Sequence, residues 1–201
     1  MTFSIVVVDD DPIIRLDIRE MLEDAGYRVT GEASNGQDAV EIVSQLRPDL
    51  VVMDVKMPKM NGIKAARIIR KMFPIDTAIL LLTAYSEREL VRDARDAGVT
   101  AYLVKPVSES DLIPAVEIAL SQQEKLASMQ QDLDALRQKM EDRKRIEKAK
   151  GLIMQELSLD EEQAYNRMRA VSMAERIPLA QLAAQILSDG VQQWSEKLKR
   201  E

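Results

Sequence analysis

The 201-residue chain contains no cysteine and no histidine. Without a thiol there is no disulfide, no thiolate nucleophile and no Cys/His metal site. Without an imidazole, the Ser-His-Asp and Cys-His schemes of covalent catalysis lose their base. Any metal must rest on oxygen ligands, which favours magnesium, calcium or manganese. Aromatic residues are scarce as well: one Trp, four Tyr and two Phe. So few rings argue against a stacking platform of the RRM or OB type. No apolar run approaches the length of about 18 residues that a membrane-spanning helix needs, so no membrane association is expected. The stretch Phe3-Ser4-Ile5-Val6-Val7-Val8 is apolar but short, lacks a basic lead and runs into three aspartates. It is not read as a signal peptide, and a cytoplasmic location is expected.

Hydrophobic residues make up 46% of the chain, enough for a packed core. Charge is unevenly spread. Residues 1–120 carry 14 Lys and Arg against 20 Asp and Glu, a net of -6, whereas residues 121–201 carry 14 of each sign. Within the neutral part, residues 137–150 hold seven basic and three acidic side chains, a local +4. The two parts therefore suit different partners, which the overall acidity conceals.

Residues 1–120 alternate short apolar runs with amphipathic stretches. Strands are expected at Ile5–Val8, Arg28–Ala33, Leu50–Met53, Ala78–Leu82 and Ala101–Val104, with helices near 12–25, 36–46, 61–72 and 86–97. Gly26 and Gly98 are placed to end helices. Ile5–Val8 and Ala78–Leu82 are apolar without alternation, as strands buried on both faces of a parallel sheet are. Five such units predict an α/β domain with a doubly wound, five-stranded parallel sheet. Beyond Ser108 no strong stop interrupts a helix until about Glu156. Leu126, Met129, Leu133, Leu136 and Met140 repeat at 3-4-3-4 spacing, a coiled-coil seam of just over two heptads. With Leu126 at a, Asp132 (g) faces Arg137 (e) of a parallel second copy, Lys139 faces Lys144, and Arg143 takes a d position, so the seam should end near Met140. Two readings stand: a dimer seam, or packing on the chain's own domain. The last part is helical, with a capping box expected at Ser158-Leu159-Asp160-Glu161 and a helix to about Ala174. A further helix begins at Pro178 and ends or bends near Gly190, giving a small three-helix bundle. The expected domains are 1–120, a coiled-coil linker helix 121–141 and a helical domain 142–201.

Asp9 and Asp10 follow the first strand and Asp54 the third, where doubly wound sheets bind ligands. Three converging carboxylates repel one another unless protons or a hard divalent cation bind. An oxygen-only site that keeps open waters suits magnesium. Thr83 ends the fourth strand and Lys105 follows the fifth, bringing a hydroxyl and an ammonium to the same rim. A carboxylate is a competent nucleophile towards phosphorus when a metal screens the incoming charge, and Thr83 and Lys105 can then bind phosphoryl oxygens. Each residue alone is more often a cap or a surface group; five matching types at the strand ends are harder to ascribe to chance.

The motifs Val6-Val7-Val8-Asp9-Asp10-Asp11-Pro12, Asp54-Val55-Lys56-Met57-Pro58-Lys59-Met60-Asn61-Gly62, Leu82-Thr83-Ala84 and Tyr102-Leu103-Val104-Lys105-Pro106 resemble, in order, those of the receiver domain of bacterial response regulators. The resemblance implies a flavodoxin-like fold and an Asp54 that accepts phosphate from a sensor histidine kinase. It implies that Asp9, Asp10, Asp54 and the backbone carbonyl of Lys56 surround Mg2+, and that Thr83 and Tyr102 form a switch pair. Asn61 stands where many relatives have aspartate, outside the acid cluster.

The run Arg143-Lys144-Arg145-Ile146-Glu147-Lys148-Ala149-Lys150 is open to two readings from its residues alone, nucleic-acid phosphate contact or a solvated helix face. Followed by Gly151-Leu152-Ile153-Met154, Ser158-Leu159, Glu161-Glu162-Gln163-Ala164-Tyr165 and Arg169, it looks like the ANTAR domain, a family that binds RNA stem-loops and antagonises transcription terminators. By that resemblance Arg143, Lys148, Lys150, Arg167 and Arg169 face RNA. Ala149, Gly151, Ala164 and Tyr165 let helices pack closely, although Tyr165 can instead stack on a base.

The expected function is a two-component response regulator, phosphorylated on aspartate, that binds stem-loops overlapping terminators and prevents termination. Phosphorylation is expected to favour a homodimer. No enzyme activity is expected beyond phosphoryl transfer to Asp54 and its hydrolysis. The alternatives are a DNA-binding regulator and a protein-binding adaptor. The helix after Pro178 holds no Lys or Arg until Lys197, which weighs against a DNA recognition helix.

Overall fold

A computed structural model describes residues 2–84 and 88–199, with the side chains of 88–91 and 199 set aside. Its strands are β1 (Ser4–Val8), β2 (Arg28–Ala33), β3 (Leu50–Asp54), β4 (Ala78–Thr83) and β5 (Ala101–Val104). They pair in parallel in the order β2-β1-β3-β4-β5, the flavodoxin-like arrangement. β3 and β4 are buried along their whole length, as their unbroken apolar runs require. Along β1, Val6 and Val8 enter one core while Ile5 and Val7 enter the other, so the two faces of the sheet carry separate apolar layers. Each such buried side chain contributes about 1.5–3 kcal/mol.

Helices α1 (Pro12–Asp24), α2 (Gly36–Leu46), α3 (Gly62–Met72) and α4 (Arg88–Asp96) link the strands. The first three begin on side-chain caps: Asp11 accepts from the backbone N–H of Ile13, Asn35 from that of Asp38, and Asn61 from that of Lys64. Gly26 and Gly98 follow α1 and α4 at φ 86° and 75°, where a side chain would be strained. Residues 86 and 87 of the predicted fourth helix lie outside the described residues.

Helix α5 (Glu109–Leu157) runs for 49 residues with Pro114 in its second turn. Its first part packs Leu112, Val116, Ala119 and Leu120 into the core shared with α1. The side-chain N–H of Gln123 donates to the Ile75 carbonyl, so the helix stays bound to the sheet domain beyond residue 120. The chain divides into compact units 1–129 and 130–201, the division falling inside the stretch expected as a linker.

In the second unit, α6 (Glu161–Glu175) and α7 (Leu179–Asp189) pack with the end of α5. Gly190 ends α7 at φ 83°, and a short α8 (Val191–Lys199) follows as a fourth helix rather than an extension of the third. It closes the core with Val191 and Leu198. The capping box is also shifted. Asp160 caps α6 and pairs with Gln163, while Ser158 takes a left-handed conformation at φ 54°.

Candidate functional site

Register brings the acids together. Val8 pairs with Met53, so Asp9 and Asp54 leave neighbouring strands side by side, at the point where the strand order reverses. Carboxylate oxygens of Asp9, Asp10 and Asp54 all lie within 4.8 Å of one another. Asp9 and Asp54 are buried and Asp10 is exposed. The Lys105 ammonium reaches Asp9 Oδ2 at 2.5 Å and Asp54 Oδ1 at 3.3 Å. Asp54 Oδ1 also accepts from the Val55 N–H at 2.8 Å, and Asp9 Oδ1 from the Asp11 N–H at 3.0 Å. Three carboxylates thus converge where the Lys105 ammonium pairs with two of them.

The imbalance shows in proton affinities. Burial pushes the Asp54 carboxyl above its ordinary value; Lys105 opposes this and Asp9 adds to it. Burial alone would lower the Lys105 ammonium, but hydrogen bonds and charge from Asp9 and Asp54 outweigh it and raise the pKa.

Thr83 ends β4 and is buried, and the Lys105 N–H donates to its carbonyl at 2.8 Å. Tyr102 lies on β5 with its side chain 46% exposed. Lys56, two residues past Asp54, is exposed. Two positions had carried no role in the sequence reading. Arg15 donates to the Asp9 carbonyl at 2.7 Å while its Nε pairs with Glu32 at 3.0 Å, so it holds the end of β1. Gly62 opens α3 against the end of β3, and a Cβ there would overlap the Asp54 carbonyl. The glycine lies in the motif; the arginine had no signal beyond its place on the inner side of α1.

The second unit separates the five predicted RNA contacts. Arg143, Lys148 and Arg169 are exposed and form no ion pair among the described residues. Lys150 is not on this face. It is only 7% exposed, and its ammonium lies 2.6 Å from Glu147 and 2.7 Å from Glu161. The reason is spacing: Ile146, Lys150 and Ile153 fall at i, i+4 and i+7, so the lysine sits on the inner stripe. Arg167 is half-buried and donates to the Leu198 carbonyl at 2.9 Å, bracing the end of α8.

Tyr165 does not pack in the core either. Ala164, Met168 and Val171 fill the buried face of α6, which leaves Tyr165 turned aside and 41% exposed, four residues before Arg169. Trp194 is half-buried against the helical core, with the Lys197 ammonium 5.1 Å from its ring centre. Leu126, Met129, Leu133, Leu136 and Met140 are 50 to 62% exposed, so the seam is not packed on its own domain. No described helix is long and apolar enough to cross a membrane.

The model of the response regulator receiver domain matches residues 5–117, and that of the ANTAR domain matches residues 134–187. The transcriptional regulatory protein PdtaR of Mycobacterium tuberculosis is 42% identical over 185 residues, covering 91% of this chain and 88% of its own. Protein CcdB of Bacillus subtilis is 41% identical over 112 residues, 56% of this chain and 92% of that protein. Among solved structures, the CheY-like receiver domain protein of Methanospirillum hungatei superposes with a TM-score of 0.59 at 29% identity, covering 62% of this chain and 98% of that one. The receiver domain of the putative response regulator NarL from M. tuberculosis gives 0.57 at 29% identity, covering 60% and 97%.

Proposed function

The chain belongs to the response regulators, with a receiver domain and an ANTAR domain, and from that premise we propose that it is a phosphorylation-controlled RNA-binding antiterminator. The observation that carries this reading is the pocket in which Asp9, Asp10 and Asp54 converge, with the Lys105 ammonium paired to Asp9 and Asp54. Its three carboxylates are hard oxygen donors, a set that fits magnesium. Asp9, Asp10, Asp54 and the Lys56 carbonyl would hold the ion. Bound magnesium screens the charge between the incoming phosphoryl group and the acid.

Asp54 then attacks the phosphorus of a sensor kinase's phosphohistidine. An oxygen–phosphorus bond forms, the nitrogen–phosphorus bond breaks, and the imidazole keeps the electron pair. Lys105 exchanges part of its contact with Asp9 for a phosphoryl oxygen. Thr83, at the end of the adjacent strand, turns its hydroxyl towards the new acceptor, and the Tyr102 ring moves from its exposed position into the space released. The phosphoryl group adds acceptors and charge beside a two-state element, and a shift of a few kcal/mol suffices to repopulate it.

On the output side Arg143, Lys148 and Arg169 contact RNA phosphates, and Tyr165 offers an exposed ring to an unpaired base. Dimerisation through the α5 seam places two helical units on two stem-loops, so the gain comes from effective concentration.

The test is phosphorylation of the full chain by a small phosphodonor in magnesium, read by intact mass, sedimentation and stem-loop affinity. One phosphoryl group is expected on the wild type and none on Asp54→Ala. Dimer fraction and RNA affinity should rise together. Equal RNA binding by the unphosphorylated monomer would overturn the regulatory part, and stronger binding to duplex DNA at matched salt would overturn the choice of RNA.

A further inference from the structure

A second pocket opens at the N-terminal ends of the strands, opposite the Asp54 site. It measures about 260 Å³ and lies between the start of β1, the turns that enter β3 and β4, and the α5 helix. All of its lining belongs to the first compact unit. Phe3, Ile75, Leu120 and Ala127 supply apolar surface, and Asp49, Asp76 and Glu124 supply carboxylates. No Lys or Arg lines it.

One polar group in this wall is buried and unsatisfied. Leu112, Val116, Ala119 and Leu120 form the inner stripe of α5, and Gln123 continues it one turn on. An amide thus stands where the pattern calls for an apolar side chain, and it is only 7% exposed. Its Nε2 donates to the Ile75 carbonyl, which fixes the orientation of the amide. Its Oε1 has no hydrogen-bond partner. A buried acceptor without a donor costs stability, which a donor entering the pocket restores.

The acids are open as well. Asp49 Oδ2 accepts from the Ser4 N–H and hydroxyl at 2.7 Å, which leaves Oδ1 without a donor among the described residues. Glu124 forms no ion pair among the described residues. Asp76 has Arg47 at 3.9 Å, but both are more than half exposed, and the guanidinium lies 3.6 Å over the Phe73 ring. The three carboxylates do not converge. Among the described residues only Asp9, Asp10 and Asp54 bring three such groups within 4.8 Å of one another. A single metal ion therefore does not satisfy this pocket, whereas a cation with separated charges and carbon between them does.

We propose that the pocket binds a short aliphatic diamine. Its ammonium groups, with three donors each, serve Gln123 Oε1 and the carboxylates, and its methylenes pack on Phe3, Ile75 and Leu120. The volume lies below the roughly 300 Å³ at which drug-sized sites begin, so the ligand is small. Bound there, it ties α5 to the turns before β3 and β4 and stabilises the receiver.

Amide NMR of the full chain titrated with putrescine, the four-carbon diamine, tests this. Saturable shifts are expected at Phe3, Ile75, Gln123 and Glu124, with a Kd of about 1 mM or tighter. Asp54→Asn should bind as the wild type does. Glu124→Gln, at an exposed position, should weaken binding about threefold, and Gln123→Met about tenfold. Where Gln123→Met fails to fold, Glu124→Gln alone decides. Tetramethylammonium, which carries the charge without an N–H, should leave these amides unmoved. No saturation by roughly 20 mM leaves water as the partner of Gln123 and overturns the proposal, as do variants that bind like the wild type. Shifts centred on Asp9 and Asp54, and lost in Asp54→Asn, assign the diamine to the phosphoacceptor pocket and overturn it equally. Calcium moving the pocket amides where putrescine does not overturns a diamine as the occupant.

Discussion

Hydrogen bonds from the Lys150 ammonium to Glu147 and Glu161, with the charges of those acids, raise its pKa above the ordinary lysine value. A raised lysine adds stability that is present throughout the neutral range and is lost only as alkaline pH passes the folded-state value. Lys150→Met should therefore lower the melting temperature of the helical unit at neutral pH, and the difference from the wild type should shrink in alkali. Lys150→Met should leave the slope of log affinity for RNA against log salt unchanged, whereas Arg143→Ala or Lys148→Ala should reduce it by roughly one. A reduced slope for Lys150→Met would return that lysine to the RNA face. Asp54 presents the opposite sign. Its carboxyl is raised by burial, so its ionised form costs stability at neutral pH, a cost that disappears as pH falls through the folded-state value. In magnesium-free buffer Asp54→Asn should raise the receiver melting temperature by about 4 °C, near 1 kcal/mol. Added magnesium should stabilise the wild type and do little for the variant, which calorimetry with and without chelator would show.

Among the elements, α5 has two different sides to its stability. Leu112, Val116 and Ala119 are buried, and so are Ala149 and Ile153 near the other end, while the seam between is exposed. Ile153→Ala should cost about 2–5 kcal/mol because it opens a cavity in the helical core. Leu133→Asp with Leu136→Asp should leave monomer melting nearly unchanged and abolish dimerisation, measured by sedimentation of the phosphorylated chain. α6 depends on its start. Asp160 and Gln163 each satisfy the other's backbone N–H, and Asp160→Ala should cost about 1 kcal/mol in urea unfolding. The strands were legible in the sequence, because unbroken apolar runs report burial directly. The fourth short helix was not, since nine residues after a glycine carry too little pattern to distinguish a new helix from a bent continuation.

At the scale of the whole molecule, the chain builds its apolar cores separately, two on the faces of the sheet and one among the helices. Calorimetry of the monomer should resolve two transitions, with Asp54→Asn moving one and Ile153→Ala the other; a single transition moved by both would show that the cores unfold together. The strands and the acids at their ends followed from sequence, because a doubly wound sheet leaves few places for a residue just past a strand. The local excess of cations at 137–150 was likewise fixed by composition. Which of those cations face solvent was not. That depends on where α6 lies against α5, and only tertiary packing places Glu161 on Lys150 and the Leu198 carbonyl on Arg167. The same holds for Tyr165, whose exposure follows from a core already filled by Ala164, Met168 and Val171. Sequence by itself determined which chemistries the chain can offer, an oxygen-lined acid pocket without imidazole or thiol and a basic helix. Tertiary structure decided which side chains remain free to use them, because a charge is committed or available according to the neighbours that folding brings within about 4 Å of it.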